Sequence, residues 1–278
     1  MSDRSTGRFI TSVFLIFVVF SSSLVAQSLP AGAQSLPAAA LPDSSTQEPQ
    51  VTNSDEKPLK LLSKDDFFSK GFARQLLSDQ KSIWTSPARI KASDARWLLP
   101  LSAGTAFLFT QDNQIIHRFD HNSSLQNTSL KVSNVGLYST WAVPGAFLAL
   151  GKFRGNDRMT DTGKRGFQAA LYSTAVMQAM KLITDRARPL EGGNGHFWTG
   201  GDAFPSGHSM EAWALAKVVS DEYSDKPLVK IGMYSFATAV SLSRITSQRH
   251  YASDVLVGSA VGYLIGKFVM RNHHLESQ

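Results

Sequence analysis

The chain has 278 residues, of which 28 are Lys or Arg and 22 are Asp or Glu, so its formal net charge is +6. A basic chain favours anionic partners such as phosphate esters or anionic lipids, but the sequence has no basic run, which argues against nucleic acid as a partner. The chain has no cysteine, which excludes disulfide bonds, thiolate metal sites and a cysteine nucleophile.

The first 26 residues have the layout of a secretory signal peptide. Arg4 and Arg8 precede an apolar run over residues 9–20, and small residues follow it. An uncleaved membrane anchor is the alternative, but the apolar run is short for a membrane span, which needs about 20 residues. The sequence therefore predicts an exported protein, periplasmic or otherwise extracytoplasmic, whose signal peptide is residues 1–26 with the cleavage position left open.

Residues 27–58 are predicted to be a disordered linker. Five of the eleven prolines lie in this stretch, together with many Ser and Gln residues. Segments of this composition bury too little apolar surface to fold. A helical domain is predicted to follow over residues 59–272, and residues 273–278 are interpreted as a tail.

From about Leu59 the apolar residues follow a helical spacing. Phe68, Phe72 and Leu76 are four positions apart, and the later apolar segments lack the strict alternation of strands. These later segments are residues 97–109, 137–150, 167–183, 212–219, 231–242 and 255–270. The sequence therefore predicts an all-α fold, a bundle of about seven to nine helices.

A membrane-embedded bundle is the alternative to a buried helical core. Among the uncharged stretches, only residues 132–151 reach the length of about 20 residues that a span requires, and they include Pro144. The mean hydropathy of the chain is only −0.12. These observations favour a domain that is soluble or in peripheral contact with an anionic membrane surface.

Lys181 and Arg188 form the first candidate motif. They are seven residues apart and would share one face of a continuing helix, while Pro189 predicts that the helix ends at Arg188. One cation would then extend from the helix and the other from its end, converging on one anion. A solvated basic helix end is the alternative, and Asp185 and Arg186 are interpreted as a local pair.

The second motif is Pro-Ser-Gly-His at residues 205–208, just before a predicted helix that starts near Ser209. Ser206 could cap this helix, and the backbone N–H groups of Ser206 and Gly207 could face an anion. His208 would lie in the first turn, where a proton donor could reach a leaving oxygen. An ordinary surface histidine is the alternative.

The third motif places His250 and Asp254 four residues apart, on one face of a helix. The carboxylate could accept the Nδ1 proton and leave Nε2 free as a nucleophile, although the backbone could direct this contact to another group. Arg244 precedes them with a planar guanidinium that suits two-pronged binding of an oxyanion. A purely structural His–Asp pair is the alternative.

The three motifs together supply three cations, two histidines and one carboxylate. A phosphoryl group in transfer carries its charge on equatorial oxygens, so its transfer depends on positioning and cationic stabilisation. One histidine can serve as nucleophile while a second protonates the leaving group. Because no carboxylate cluster resembles a metal site, the residues predict cleavage of phosphate esters without a metal or other cofactor.

In this order and spacing, the motifs resemble those of the type 2 phosphatidic acid phosphatase and vanadium haloperoxidase superfamily. The family pattern is K-x6-R-P, P-S-G-H and S-R-x5-H-x3-D, and every marked position matches between residues 181 and 254. The resemblance implies a helical bundle and a phosphohistidine mechanism, with His250 as nucleophile, Asp254 as its orienting residue and His208 as general acid. It also implies that the phosphate is bound by Lys181, Arg188, Ser206, Gly207 and Arg244.

The expected function is that of a metal-independent, acid-type phosphatase that hydrolyses phosphomonoesters or lipid (pyro)phosphates through a phosphohistidine. A vanadate-dependent haloperoxidase is one alternative, since the same residues can bind vanadate, which otherwise acts as an inhibitor. A non-catalytic anion-binding or scaffold protein is another, but binding alone requires neither a nucleophile nor an acid. Whether the substrate is a phosphorylated small molecule or a lipid stays open, as does the oligomeric state.

Overall fold

The computed structural model describes residues 70–119 and 122–276. The predicted signal peptide, the predicted linker and Phe68 lie outside the described residues, and so does the side chain of Phe72. The last helix continues to Glu276, past the predicted domain end at residue 272. The sequence after residue 270 contains neither Pro nor Gly, so nothing in it stops a helix there.

In these two ranges the structure has seven α-helices and no β-strand, which confirms the predicted all-α fold. The helices are α1 (Lys70–Trp84), α2 (Ala95–His117), α3 (Ser123–Arg154), α4 (Asp157–Thr184), α5 (Gly207–Glu222), α6 (Pro227–Thr246) and α7 (Ala252–Glu276). Short 3-10 turns occupy Ser86–Arg89, Ala92–Asp94 and Pro189–Glu191. Each predicted apolar segment from residue 97 onward lies within one of these helices.

Asparagine side chains cap the starts of α3 and α4, and one glycine shapes the turn between these helices. The side chain of Asn122 accepts a hydrogen bond from the N–H of Leu125 at 2.9 Å, and Asn156 does the same for Met159 at 3.0 Å. Between the two helices Gly155 has a φ of 60°, a left-handed conformation that glycine adopts without steric penalty. The chain therefore reverses direction here, and α3 and α4 pack together.

Helix α5 lies at the centre of the bundle and packs against α3, α4, α6 and α7. Helix α7 approaches it most closely. A β-carbon added to Gly262 would lie 2.0 Å from the carbonyl oxygen of Met210, and Gly258 and Gly266 approach the carbonyl oxygens at positions 206 and 214 in the same way. Glycine at every fourth position therefore sets the distance between α5 and α7.

The helices from α2 to α7 run in alternating directions. At one end of the bundle, Oγ of Ser129 near the start of α3 lies 2.6 Å from Oγ1 of Thr246 at the end of α6. At the other end, Nε of Arg158 at the start of α4 donates to the carbonyl of Glu222 at the end of α5, at 3.1 Å. The ends of α2, α4 and α6 therefore share one side of the bundle with the starts of α3, α5 and α7.

The outer surface of the bundle is strongly apolar. On α3, the polar residues Ser133 and Thr140 are buried, whereas Val135 and Tyr138 are more than half exposed. The same exposure holds for Leu99, Phe107, Phe153, Leu182, Ile183, Leu228, Ile231 and Leu242. Of the described helices, only the segment Ala252–Arg271 is long and apolar enough to cross a membrane by length and composition, and half of it is buried. Exposed apolar surface of this extent is typical of a contact with a membrane or a partner.

Candidate active site

The structure brings the three motifs together at one end of the bundle. Lys181 lies in the last turn of α4, and Arg244 lies in the last turn of α6. His208 is in the first turn of α5, and His250 is in the short connection before α7. Both histidines lie close enough to interact electrostatically with Lys181, Arg188 and Arg244. The prediction that these cations and histidines form one cluster is therefore consistent with the structure.

Helix α4 ends earlier than the sequence predicts. It ends at Thr184 rather than at Arg188, because Asp185 adopts a left-handed conformation with a φ of 43° and its N–H bonds to the carbonyl of Lys181. Arg188 is extended, with φ −77° and ψ 151°, as expected for a residue before proline. The two cations of the first motif nevertheless converge, because both contact one carboxylate.

That carboxylate belongs to Asp202, which the motifs do not include. Its Oδ2 lies 3.3 Å from Nζ of Lys181 and accepts a hydrogen bond of 2.8 Å from Nη2 of Arg188. Nε of Arg188 is 2.7 Å from Oδ1, at an angle too bent for a hydrogen bond. In the sequence, this residue could have been noticed as an acidic residue just before the Pro-Ser-Gly-His motif.

The buried imidazole of His250 is oriented by a backbone carbonyl. Its Nδ1 lies 2.6 Å from the carbonyl oxygen of Ala203, whereas the carboxylate of Asp254 is 3.7 Å away. A carbonyl oxygen only accepts hydrogen bonds, so Nδ1 carries the proton and Nε2 has the free lone pair of a nucleophile. The expected hydrogen bond to Asp254 is not formed, and the backbone alternative is the one observed.

The surroundings of His250 disfavour its protonated form. Burial of the ring lowers the pKa of His250 well below its ordinary value, and the charges of Arg244, Lys181 and Arg188 lower it further. The neutral ring is the form in which a histidine nitrogen can act as a nucleophile.

Asp254 is buried, and other groups occupy its carboxylate oxygens. Oδ2 accepts a hydrogen bond of 2.8 Å from the N–H of Tyr251, and Oδ1 accepts one from Nη1 of Arg186. These contacts explain why Asp254 does not bond directly to His250. The carboxylate is nevertheless near enough to favour positive charge that develops on the imidazole.

Arg186 pairs over a long distance in sequence, and the expected local pair with Asp185 is absent. The guanidinium is fully buried and donates to Asp254 and, at 2.8 Å, to Asp112 of α2. Asp185 instead accepts a hydrogen bond of 2.9 Å from the N–H of Gly201. Arg186 pairs with these two acids and not with Asp185 because a charged group in the interior requires an equally buried partner.

Asp112 extends the site to α2, which none of the motifs includes. Its Oδ1 accepts a hydrogen bond of 3.0 Å from the N–H of Ser253, and its Oδ2 accepts from Oγ of Ser253 and from Arg186. Ser253 directly precedes Asp254, so Asp112 holds the start of α7 in place. In the sequence, Asp112 could have been noticed as the single acidic residue that follows the uncharged stretch 97–111.

The Pro-Ser-Gly-His segment is fixed against the start of α7. The N–H of Ser206 donates to the carbonyl of Asp254 at 3.0 Å, so it is not free for an anion as the sequence suggested. Ser206 occupies the predicted cap position of α5, but its side chain does not cap the helix. Its Oγ instead accepts a hydrogen bond of 3.0 Å from Ser209, which leaves the hydroxyl proton of Ser206 available to a ligand.

Gly207 and His208 begin α5. A β-carbon on Gly207 would lie 2.1 Å from Sδ of Met177, so the glycine permits close packing of α5 on α4. The side chain of His208 is partly buried. Its ring has no hydrogen-bond partner within the described part of the chain, so no other group fixes its proton.

Arg244 is almost completely buried, with 4 % of its surface exposed. Its Nη1 donates to Oγ of Ser133 on α3, and its carbonyl accepts the N–H of His250 at 3.2 Å. Its Nε has no hydrogen-bond partner among the described residues. A buried donor without a partner is unfavourable, so this nitrogen has capacity for an anion. In the same residues, no group of three or more His, Asp or Glu side chains could hold a metal ion.

Residues 167–277 match the model of the PAP2 superfamily. A lipid A 1-phosphatase from Porphyromonas gingivalis is 34 % identical over 178 residues, which are 62 % of this chain and 37 % of that protein. The chain thus spans little more than a third of that relative's length. All three motifs lie inside residues 167–277, which match the PAP2 model, whereas Asp112 and Ser133 lie before this segment.

Two solved structures have lower similarity to the chain. One is a transmembrane PAP2 type phosphatidylglycerolphosphate phosphatase from Bacillus subtilis, at 18 % identity and a TM-score of 0.47, with 63 % of this chain and 95 % of that chain covered. The other is LpxE from Aquifex aeolicus, at 21 % identity and a TM-score of 0.44, with 60 % and 93 % covered.

Proposed function

We propose that the chain belongs to the PAP2 superfamily, whose model residues 167–277 match, and that it is a phosphatase that removes phosphate from a lipid. One observation carries the proposal. His250 has its Nδ1 proton held by the carbonyl of Ala203, so its Nε2 is free to attack, and it lies beside three cations that suit a phosphate group. No step of this chemistry requires a metal ion.

In the proposed mechanism, Lys181, Arg188 and Arg244 bind the phosphate oxygens. Nε2 of His250 attacks phosphorus while the bond from phosphorus to the leaving oxygen breaks, and His208 donates a proton to that oxygen. Water then attacks the phosphohistidine while the bond from phosphorus to Nε2 breaks, His208 accepts a proton from the water, and free phosphate leaves. The hydroxyl of Ser206 and the N–H of Gly207, at the start of α5, are further donors to phosphate oxygens.

A lipid is the substrate class that the surface beside the site favours. Leu182 and Ile183 follow Lys181 directly and are more than half exposed. Trp198 is 77 % exposed, and its Nε1 donates to the carbonyl of Ile183 at 3.0 Å. This apolar surface next to a phosphate site suits a substrate that joins phosphate to an apolar body. The similarity to a lipid A 1-phosphatase supports the same substrate class.

We also propose that the bundle spans a membrane, in place of the soluble or peripheral domain that hydropathy favours. The mean hydropathy is low because polar residues such as Ser133 and Thr140 contribute to it, but the structure buries these between helices. Large apolar residues such as Val135 and Tyr138 face outward instead. Helices packed within a bilayer typically have small and polar side chains where they contact each other and apolar side chains on the outer face of the bundle.

The charges at the two ends of the bundle give its orientation. Apart from the cations of the site itself, more basic residues lie toward the end opposite the site, in and near the turns joining α3 to α4 and α5 to α6 and near the end of α7, than at the site's own end, which has Arg118, Lys131 and Arg249. Those toward the opposite end are Lys152, Arg154, Arg158, Lys164, Arg165, Lys226, Lys230, Lys267 and Arg271. Membrane proteins retain such ends in the cytoplasm. The site therefore faces the extracytoplasmic side, in agreement with the predicted export signal.

The function is tested by assaying the purified full chain, with chelator present, on phosphatidic acid, isoprenyl pyrophosphate and small phosphomonoesters. We expect phosphate release from the lipids and a trapped phosphoenzyme that His250→Ala abolishes. The exposed His196 is the matched control, and His196→Ala should retain the phosphoenzyme. Hydrolysis of soluble esters alone would contradict the lipid substrate, and a phosphoenzyme in His250→Ala would contradict the assigned nucleophile.

Membrane fractionation tests the location of the bundle. We expect the full chain to stay with membranes through washes with high salt and with alkaline carbonate, and to be released by detergent. Release by salt alone would show a peripheral protein held by charge.

A further inference from the structure

Asp202 contacts two of the proposed phosphate ligands, yet the proposed mechanism does not use it. Its carboxylate lies 3.3 Å from Nζ of Lys181 and accepts a hydrogen bond of 2.8 Å from Arg188. The side chains of Lys181 and Arg188 are 13 % and 20 % exposed, whereas that of Asp202 is 52 % exposed. A half-exposed carboxylate therefore reaches from the surface to two mostly buried cations.

The backbone on both sides of Asp202 is fixed independently of its side chain. The N–H of Gly201 donates to Oδ1 of Asp185 at 2.9 Å, and the N–H of Ala203 donates to the carbonyl of Arg186 at 2.8 Å. These two bonds hold the loop against the segment that follows α4. The side chain of Asp202 can therefore rotate toward solvent without displacing the loop.

A carboxylate and a phosphate compete for the same donors. Guanidinium groups bind both in the same two-pronged geometry. Partial burial alone would raise the pKa of Asp202, but Lys181 and Arg188 lower it below its ordinary value, so this carboxylate stays ionised in mildly acidic solution. A phosphate group on the same two cations would repel the adjacent carboxylate.

We propose that Asp202 is a further residue of the phosphate site, an internal competitor that occupies Lys181 and Arg188 until a phosphate group displaces it. The inference rests on the proposed function, because it takes these two cations as phosphate ligands. At the end of each turnover, Asp202 returns to the cations as free phosphate leaves. It therefore weakens the binding of substrate phosphate and product phosphate alike.

The variant Asp202→Asn tests this proposal, because it removes the charge and keeps the shape. With two partly exposed ion pairs removed, inorganic phosphate should bind about 5- to 30-fold more tightly. Asp202→Ser, which also shortens the side chain, should act in the same direction. Glu191→Gln is the matched control, because Glu191 is an exposed acid in the same loop whose backbone N–H bonds to the carbonyl of Arg188 but whose side chain, among the described residues, contacts neither cation. It should leave phosphate binding unchanged.

Two measurements separate this inference from the proposed function. Calorimetric titration of the full chain with inorganic phosphate needs no turnover, and inhibition of lipid hydrolysis by phosphate gives a second value. Tighter phosphate binding and a lower KM in both Asp202 variants support the competitor. Unchanged phosphate affinity in both variants overturns it, and weaker affinity together with lower kcat shows instead that Asp202 positions Arg188. Absence of hydrolysis by the unmodified protein would contradict the proposed function and leave the calorimetric result valid.

Discussion

The two histidines of the site differ in what holds their rings. The ring of His250 is buried and bonded through Nδ1 to a carbonyl, which fixes one tautomer. The ring of His208 is partly buried and, within the described residues, has no hydrogen-bond partner. A nucleophile benefits from a fixed direction of attack, whereas a proton carrier must gain and lose its proton in each cycle.

The variant His208→Ala tests this difference. We expect phosphoenzyme formation to slow by about 10²- to 10⁴-fold for alkyl phosphates, and by much less for nitrophenyl phosphates, because only poor leaving groups need a proton in the transition state. Rapid-quench measurement of the phosphoenzyme on both ester types gives the two rates. Equal losses on both would remove His208 from its role as acid.

The sequence identifies the residues of the candidate site that lie within a few positions of one another in a motif. It does not identify the partner of Nδ1, because the four-residue spacing of His250 and Asp254 fits both a direct pair and the observed separation of 3.7 Å. Arg186 and Asp112 are 74 positions apart, and no local pattern connects them. Their contact follows from the packing of α2 against α7, which a single sequence does not specify.

At the scale of helices, α2 contributes to the site through Asp112 alone among the contacts described above. Asp112→Asn should lower the free energy of unfolding by about 3 kcal/mol, because it breaks a buried ion pair, and should reduce kcat more than it changes KM, because Asp112 is a positioning residue without contact to phosphate. Asn113→Ala is the matched control, since it loses one exposed hydrogen bond to Asn194, worth about 1 kcal/mol. Thermal unfolding in detergent and lipid-phosphate kinetics provide both readouts. A reduced stability with unchanged kcat would restrict Asp112 to a structural role.

The contact between α5 and α7 depends on glycine. Gly262→Ala should destabilise the protein by about 1–3 kcal/mol or more, because the new β-carbon would meet the carbonyl of Met210 at 2.0 Å and neither backbone can yield easily. Gly232→Ala on α6 is the control, since a β-carbon there meets nothing within 4 Å, and alanine favours a helix by up to about 1 kcal/mol. Opposite shifts in Tm are expected, and a similar gain in both variants would show that helix propensity rather than packing decides.

The apolar segments in the sequence predict the helices well because each is rich in apolar residues over two or more helical turns and lacks the alternation of a strand. Helix ends are harder to predict. Pro189 indicates the end of α4 too late, since the left-handed residue that ends it is Asp185 and aspartate rarely takes that conformation. The mean hydropathy of this chain does not show whether its helices lie in a bilayer, because it does not distinguish buried serines from exposed valines.

For the whole molecule, we expect hydrolysis to continue undiminished in excess chelator, because the proposed chemistry uses only side chains. Vanadate should inhibit competitively, because it reproduces the geometry of the transition state that the cations stabilise. The vanadate-loaded protein should oxidise little bromide when peroxide is added. Loss of activity with chelator and its return with magnesium would contradict the proposal, and rapid bromide oxidation would favour the haloperoxidase alternative.

The contacts of Arg186 with Asp112 and of Arg244 with Ser133 have a consequence for hybrids between relatives. A hybrid that exchanges residues 167–277 would carry every motif residue, yet each of the two buried arginines would have to find one of its partners on a helix from another parent. Compatible parents must therefore supply an acid at position 112 and a hydroxyl at position 133, and the smallest unit that can be exchanged intact begins before Ala95 rather than at residue 167.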